Sequence, residues 1–349
     1  MRLIRISCQN AFLTLAFSAS LRAQSAPPSE WSTWGSTAQR TNWEQTDRSF
    51  DKDDVQNFRL LWQRKLFNIK MGIGALLPPL IFKSPAGTGE AKEIALVAGS
   101  ENTLWAMDAD ADEMYWTKHL DTAQAKASKK NCSGALTATP VAHGVIYALT
   151  GDGMLHRLNE ADGEELNGIT QFVPAGVVPQ PLTISGSTIY TSTRATCGQE
   201  AAVWSIDASD PEAKPKSFKL GADTAGVGGV ALGSNGTVFV QTQPGVFDPD
   251  KGKFGGAMVA LTKDLRLTQY FVMPSDEHAK SDSEMNITSP LVITYKGQEL
   301  VITANKDGRL YVLRASAIGL MDHHHFLSQT MVVPAFDDKA HGIRGALST

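Results

Sequence analysis

Cysteine is scarce in this chain, three in 349 residues, and none stands in a Cys-x-x-Cys-His run. That excludes a covalently attached haem. Neither sign of charge is in excess: 32 Lys and Arg against 36 Asp and Glu leave a net charge of −4. The basic surplus that marks nucleic-acid binders is missing, so no nucleic-acid partner is expected. Past the N-terminus no run is apolar and long enough to span a bilayer. Phosphate-binding loops, His-Glu-x-x-His and Ser-His-Asp spacings are absent too, which removes the common hydrolase and nucleotide-binding signatures.

What is present begins with a secretory pattern. Arg2 and Arg5 form a basic start, "AFLTLAF" (Ala11 to Phe17) is a short apolar run, and "LRAQ" offers cleavage after Ala23. Residues 1–23 therefore read as a signal peptide, with Ala26 as a second cleavage choice, and the expected location is periplasmic or secreted. Cys8 leaves with the signal and precedes its apolar run, so it is not placed to carry a lipid anchor. Cys132 and Cys197 remain, an even number suited to one disulfide in an oxidising compartment.

The body of the chain repeats. "GALTATPVAHGVIYALTGDGMLHRLNEADGEEL" (Gly134 to Leu166) holds a small-residue start ending in Pro, then alternating runs separated by Gly and Asp turns. That is the pattern of antiparallel strands joined by hairpins, and four strands per unit make a propeller blade. Copies recur at Glu93 to Trp116, Ser187 to Pro211, Gly236 to Asp264 and Glu299 to Ser316. The third copy has a longer central turn, and the fourth carries an inserted loop at the same point. A late apolar residue of the third strand recurs as Met107, Leu158, Ile206, Leu261 and Leu313, at intervals of 51, 48, 55 and 52 residues. The fold class expected is all-β, a β-propeller of four-stranded blades.

These units resemble the pyrroloquinoline-quinone (PQQ) repeat propellers of the quinoprotein alcohol dehydrogenase type. "KDGRLYVLRAS" matches the middle of that repeat, and Ala106, Asp108 and Trp116 fall on its tryptophan-docking pattern. Ala111 and Asp112 replace its Thr-Gly, and Asn167 replaces its Trp in the second blade. "WSTWGSTAQRTNW" (Trp31 to Trp43) and "VQNFRLLWQRKL" (Val55 to Leu66) are similar to the family's N-terminal lead-in. We divide the chain into the signal (1–23), an N-terminal segment (24–54) and the propeller (55–349).

Five complete blades are visible, and "RGALST" at the end repeats the Gly-Ala-Leu that opens two blades earlier in the chain. Such rings commonly close by pairing N- and C-terminal strands in one blade. "FRLLWQRKL" suits the outer strand of that blade, with Trp62 in the docking position. The resemblance implies seven or eight blades, so the sequence reads as a fragment lacking two or three at the ~50-residue period.

In a propeller, the loops between second and third strands and the links between blades share one face, where ligands usually sit. Cys132 and Cys197 both fall on that face in neighbouring blades. A bridge between them fits there, and a structural staple is the reading preferred. Arg194, Asn286, Lys306, Asp307, His341 and Arg344 are expected near the channel mouth. By the resemblance, cationic side chains there suit the carboxylates and quinone oxygens of PQQ, and oxygen ligands suit the Ca²⁺ that often accompanies it. The family's adjacent-cysteine ring is absent. "DADADE" (Asp108 to Glu113) opens like an EF-hand but has Glu113 and His119 where Gly and Glu are needed, so a hairpin turn is expected. "FDPDKG" (Phe247 to Gly252) reads as a loop tip, and His323 to His325 as a solvated loop, rather than metal sites.

Two functions follow. The first is an exported scaffold binding a small-molecule or protein ligand on the top face. The alternative is a PQQ- and Ca²⁺-dependent dehydrogenase of alcohols or sugars, which without its own haem needs a separate electron acceptor. No identifiable catalytic base stands out, which tilts the sequence towards the scaffold.

Overall fold

Consecutive runs such as "EIALVAG" and "AMVAL" are apolar on both faces of a strand, which suits strands packed between two neighbouring sheets rather than against water. The computed structural model describes residues 30–44, 51–68, 75–85, 92–122, 135–166, 168, 170–272, 288–304, 309–331 and 347–348. Among them it is all-β, with two short 3₁₀ turns and no α-helix.

Five antiparallel four-stranded blades follow one another. Blade 1 is β1 (Leu80–Lys83), β2 (Glu93–Gly99), β3 (Thr103–Asp108) and β4 (Met114–His119). Blade 2 is β5 (Val141–Ala142), β6 (Ile146–Leu149), β7 (Met154–Leu158) and β8 (Thr170–Gln171). In blade 3 a short β9 (Val178–Pro179) flanks β10 (Thr183–Ser185), β11 (Thr188–Arg194), β12 (Ala202–Asp207) and β13 (Lys216–Lys219). Blade 4 has β14 (Ala231–Leu232) and β15 (Val238–Gln241), then an inserted hairpin of β16 (Phe247–Asp248) and β17 (Lys253–Phe254), then β18 (Ala257–Leu261) and β19 (Leu267–Val272). Blade 5 is β20 (Leu291–Tyr295), β21 (Gln298–Ala304), β22 (Arg309–Arg314) and β23 (Ser328–Met331). Every landmark of the expected repeat lies in the third strand of its blade, and each is buried. The long turn of blade 3 and the insertion of blade 4 are both where the repeat placed them.

The core is four slabs, each between two blades. Leu80, Ile94 and Trp116 of blade 1 pack on Ile146 and Leu158 of blade 2. The same division recurs between blades 2 and 3, 3 and 4, and 4 and 5. At three of the four seams a second set of contacts ties the outer strand to the turn between third and fourth strands of the next blade. Trp116 Nε1 donates to the Glu160 carbonyl, Lys216 pairs with Asp264, and the Ile318 N–H donates to Gln269 Oε1. Partners are 44, 48 and 49 residues apart, so the seams carry the repeat even where Trp is replaced.

Residues 58–68 form no ladder, but alternate side chains face blade 1. Trp62 Nε1 donates to the Ala109 carbonyl, Arg64 pairs with Asp112, and Asn68 reaches the Ala75 carbonyl and Ser100. The Trp62 bond spans 47 residues and ends in the same kind of turn as the other seams.

Residues 31–42 run down the middle and touch the innermost strand of every blade. Trp31 exchanges both backbone bonds with Ile81, Ser32 accepts from Ala142, and Thr33 donates to the Leu182 carbonyl. Ala38 and Gln39 accept from Leu232 and Val292, and Asn42 donates to the Leu347 carbonyl. The contacts at Ala142 and Leu232 lie beside the turns from first to second strand. The segment is therefore a plug between the inner strands, reaching from those turns to the link at Gly228.

Candidate functional site

The loops of blades 3, 4 and 5 meet above this plug. Arg194 ends β11 and donates from Nη2 to the Gly226 carbonyl at 3.0 Å. Gly226 lies on the link into blade 4, with φ +72, a backbone region that glycine enters without steric cost. A Cβ there would stand 2.3 Å from Ser289 N on the link into blade 5. Gln180, on the link into blade 3, donates to the same carbonyl at 2.8 Å. Arg194 thus leans inward, to the point where three blades meet, rather than outward along the rim. No other bond from its guanidinium is made among the described residues.

Beneath lies Trp34 of the plug, packed so closely on the loop that a Cβ on Gly228 would sit 2.1 Å from its ring. Arg40 follows, 1% exposed, and its five N–H groups meet five oxygens: Val230 O, Thr33 Oγ1, Trp34 O, Pro181 O and Leu182 O. All five are uncharged. Burial pushes its pKa down to about 9, so the group keeps its proton at neutral pH.

Other polar groups at the ends of the second strands satisfy one another. Ser192 donates to Gln180 Oε1, and Gln241 Nε2 donates to the Ala304 carbonyl while its Oε1 accepts from Thr303. In blade 2, Glu165, His156, Thr150 and Asp152 form a chain, with contacts of 2.5, 3.2 and 2.6 Å. Thr150 is fully buried, so this chain ties strands together and offers no nucleophile to a ligand. Sequence reading missed it, because six and nine residues separate the three side chains around His156 and no familiar spacing results. It also missed Arg40, whose importance shows only when the plug meets the blades.

Of the candidate residues, Arg194 ends β11 and bonds to the link into blade 4. Asn286, Lys306, Asp307, His341 and Arg344 lie outside the described residues, as does Cys132. Cys197 is on the long turn of blade 3 with φ +53. "DADADE" is the β3–β4 turn, in which Asp108 Oδ1 accepts from the N–H groups of Asp110 and Ala111. "FDPDKG" is the tip of the inserted hairpin, and His323 stacks on Tyr270 with ring centroids 3.9 Å apart. Among the described residues no three His, Cys, Asp or Glu side chains gather as a metal site, and no helix is long and apolar enough to cross a membrane.

With this geometry in place, solved structures give the comparison. A quinohemoprotein alcohol dehydrogenase from Comamonas testosteroni superposes with a TM-score of 0.62 at 16% identity, over 93% of this chain and 53% of that one. A europium-containing methanol dehydrogenase gives 0.62 at 15%, over 88% and 59%. Quinohemoprotein alcohol dehydrogenase ADHIIG from Pseudomonas putida HK5 gives 0.54 at 14%, over 88% and 48%. What is shared is the fold. The chain spans about half the length of these structures. No family model and no curated protein matches the sequence.

Proposed function

We propose that this chain is an arc of a larger PQQ-type propeller that acts in an exported alcohol or sugar dehydrogenase. The observation that carries the reading is Arg194, aimed at the axis with donors to spare, above the plug, in a fold shared with quinoprotein dehydrogenases. A guanidinium with unused N–H groups fits a carboxylate, and PQQ carries three. Its quinone would supply the oxidation of the alcohol. This chain's own part is to hold the carboxylate at Arg194 and keep water out from below with Trp34 and Arg40. Among the described residues no three His, Cys, Asp or Glu side chains gather, so none of them fits Ca²⁺. Asn286, Lys306, Asp307, His341 and Arg344 are proposed to complete the mouth, and Cys132 and Cys197 to bridge its edge.

The test is to export the full protein, add PQQ with Ca²⁺ or a lanthanide, and follow dye reduction with alcohols and sugars. Quinone-dependent turnover that falls in R194Q supports the reading; no quinone binding and no turnover sinks it. N-terminal sequencing of the exported product reads the cleavage after Ala23, and non-reducing peptide mapping reads the disulfide.

A second reading, a non-catalytic scaffold for a small molecule or protein, is favoured by one observation. Ser192 is bonded to Gln180, and Thr303 to Gln241, so these side chains satisfy one another in pairs. It predicts a purified protein without a quinone absorbance band.

A further inference from the structure

The hairpin tip between β14 and β15 carries a reactive dipeptide. Asn235 and Gly236 sit in that turn, and Asn235 is exposed. Asn-Gly suits such a tip, where Gly236 takes φ +82. It is also the least hindered setting for attack on a side-chain amide, because the following residue has no Cβ to shield its own nitrogen. Of the described asparagines, Asn235 alone is followed by glycine. Asn167, followed by Gly168, lies outside the described residues.

Local contacts bear on that reaction in both directions. Asn235 Oδ1 accepts from the Thr237 N–H at 2.9 Å, which supports the charge that develops on this oxygen when the amide carbon is attacked. The Gly236 N–H is held by the Gly233 carbonyl at 2.9 Å, so the step waits on opening of the turn. An exposed hairpin tip opens at little cost.

The tip leans on blade 5. Ser234 donates its N–H to Glu299 Oε1 at 2.7 Å, at the start of β21. Glu299 Oε2 and Asn235 Oδ1 lie 3.0 and 3.1 Å from the place that a Cβ on Gly233 would take. A neutral amide fits beside the Glu299 carboxylate; a second carboxylate would be repelled by it. Glu299 makes no ion pair among the described residues. Lys263 also stands beside the tip, its Cβ 3.6 Å from the place of a Cβ on Gly236.

We propose that Asn235 is a site of spontaneous deamidation whose product carboxylate, set against Glu299, loosens the seam between blades 4 and 5. The Gly236 nitrogen attacks Cγ of Asn235 and gives up its proton as the new N–Cγ bond forms. The Cγ–Nδ2 bond breaks, and ammonia leaves with that proton. Water then opens the cyclic imide at either carbonyl, giving aspartate or isoaspartate. No oxidant or cofactor enters. Isoaspartate also adds a methylene to the main chain, which disturbs the register of β14 on β15 where Leu232 pairs with Val238. The inference does not depend on any ligand at the mouth.

The experiment incubates the full chain in mildly alkaline buffer at physiological temperature, folded and in urea, and maps its peptides over time by mass spectrometry. In the folded protein Asn235 should convert about tenfold or more faster than exposed Asn57, where the side chain of Phe58 shields the attacking nitrogen. Aspartate and isoaspartate should appear together, the mark of the ring intermediate. Conversion of Asn235 in urea only, a folded rate no faster than that of Asn57, or aspartate without isoaspartate overturns the site.

The effect on the seam is read from urea unfolding of N235D, E299Q and the two combined. E299Q keeps an acceptor for the Ser234 N–H and removes the charge. N235D should raise the unfolding constant about threefold more in the parent than in E299Q, and the difference should fade at high salt. Whatever the new carboxylate gains from the Thr237 N–H or from Lys263 is common to both backgrounds and cancels. An equal effect of N235D in both, or a difference indifferent to salt, overturns the loosening by charge.

Discussion

Trp62 donates its indole N–H to the carbonyl of Ala109 at 3.1 Å, the bond that Trp116 makes to Glu160 one blade later. Residues 58–68 therefore meet blade 1 through the same kind of turn that β4 meets in blade 2. Alternation follows: Trp62, Arg64 and Asn68 turn to blade 1, while Leu61 and Phe67 are 80% and 85% exposed. Leu60 is exposed as well.

An extended segment with free backbone edges and bare apolar side chains is a template for pairing. The chain by itself should self-associate through this segment. L60K with L61K should shift it towards monomer in light scattering after size exclusion, and leave the melting midpoint within about 2 °C, because neither side chain packs on blade 1. Unchanged association would place the sticky surface elsewhere. W62A, by contrast, should cost about 1–3 kcal/mol, the loss of a partly buried ring and its hydrogen bond.

Blade 2 has its own fastening. The His156 imidazole, 2% exposed, holds Glu165 on one nitrogen and Thr150 on the other, and Thr150 donates on to Asp152 in the tight turn. H156L removes both contacts and leaves Thr150 to its remaining partners, so urea unfolding should show a loss of about 2–4 kcal/mol. T150V and H156L together should cost less than their sum by about 0.5–3 kcal/mol, since they share one network. Strict additivity would mean that the chain of contacts is not a unit.

Much of the architecture was legible before any coordinates. Leu158, Ile206 and Leu261 mark third strands because blade spacing is fixed by the stack, and a buried landmark cannot drift without opening a slab. The plug was not legible. Trp31 to Asn42 has no period of its own, and its shape comes from Ile81, Leu182, Leu232 and Val292, which are far away in sequence. Left-handed backbone at Gly35, Ser36, Arg40 and Asn42 folds it into turns that only glycine signals in advance. Arg194 could be placed at the end of a strand beside a long turn from the repeat alone. Arg40 was hidden because its five partners are mostly carbonyls, which every residue has.

Tyr115 gives blade 1 a pH dependence. Burial, the hydrogen bond to Asp108 at 3.0 Å, and the negative charges of Asp108 and Glu113 push its phenol from 10.0 up to about 12. The folded value lies above the unfolded one, so the neutral phenol's contribution is complete below pH 10.0 and is lost as pH climbs towards 12. Titration followed at 295 nm should therefore show a late step that is missing in Y115F. Stability should fall less steeply across that range in Y115F than in the parent. Tyr190 also titrates high, so the difference between the two proteins is the reading that counts.

Gly163 and Gly228 each receive an indole, but at different levels of the structure. A Cβ on Gly163, where φ is +70, would stand 2.6 Å from the ring of Trp116 at the rim of the blade 1 and blade 2 seam. On Gly228 it would stand 2.1 Å from Trp34 in the plug. Either substitution to Ala forces a ring to move, and overpacking of that kind costs about 1–3 kcal/mol. The consequences should separate. G163A loosens one seam and leaves the axis alone, whereas G228A lifts Trp34 and with it the carbonyl that accepts from Arg40 Nη1. Limited proteolysis reads the difference: G228A should be cut faster within residues 31–44 than the parent, and G163A should not. Equal cutting in both would mean that the plug is held by its backbone bonds to the inner strands and not by the seat of Trp34.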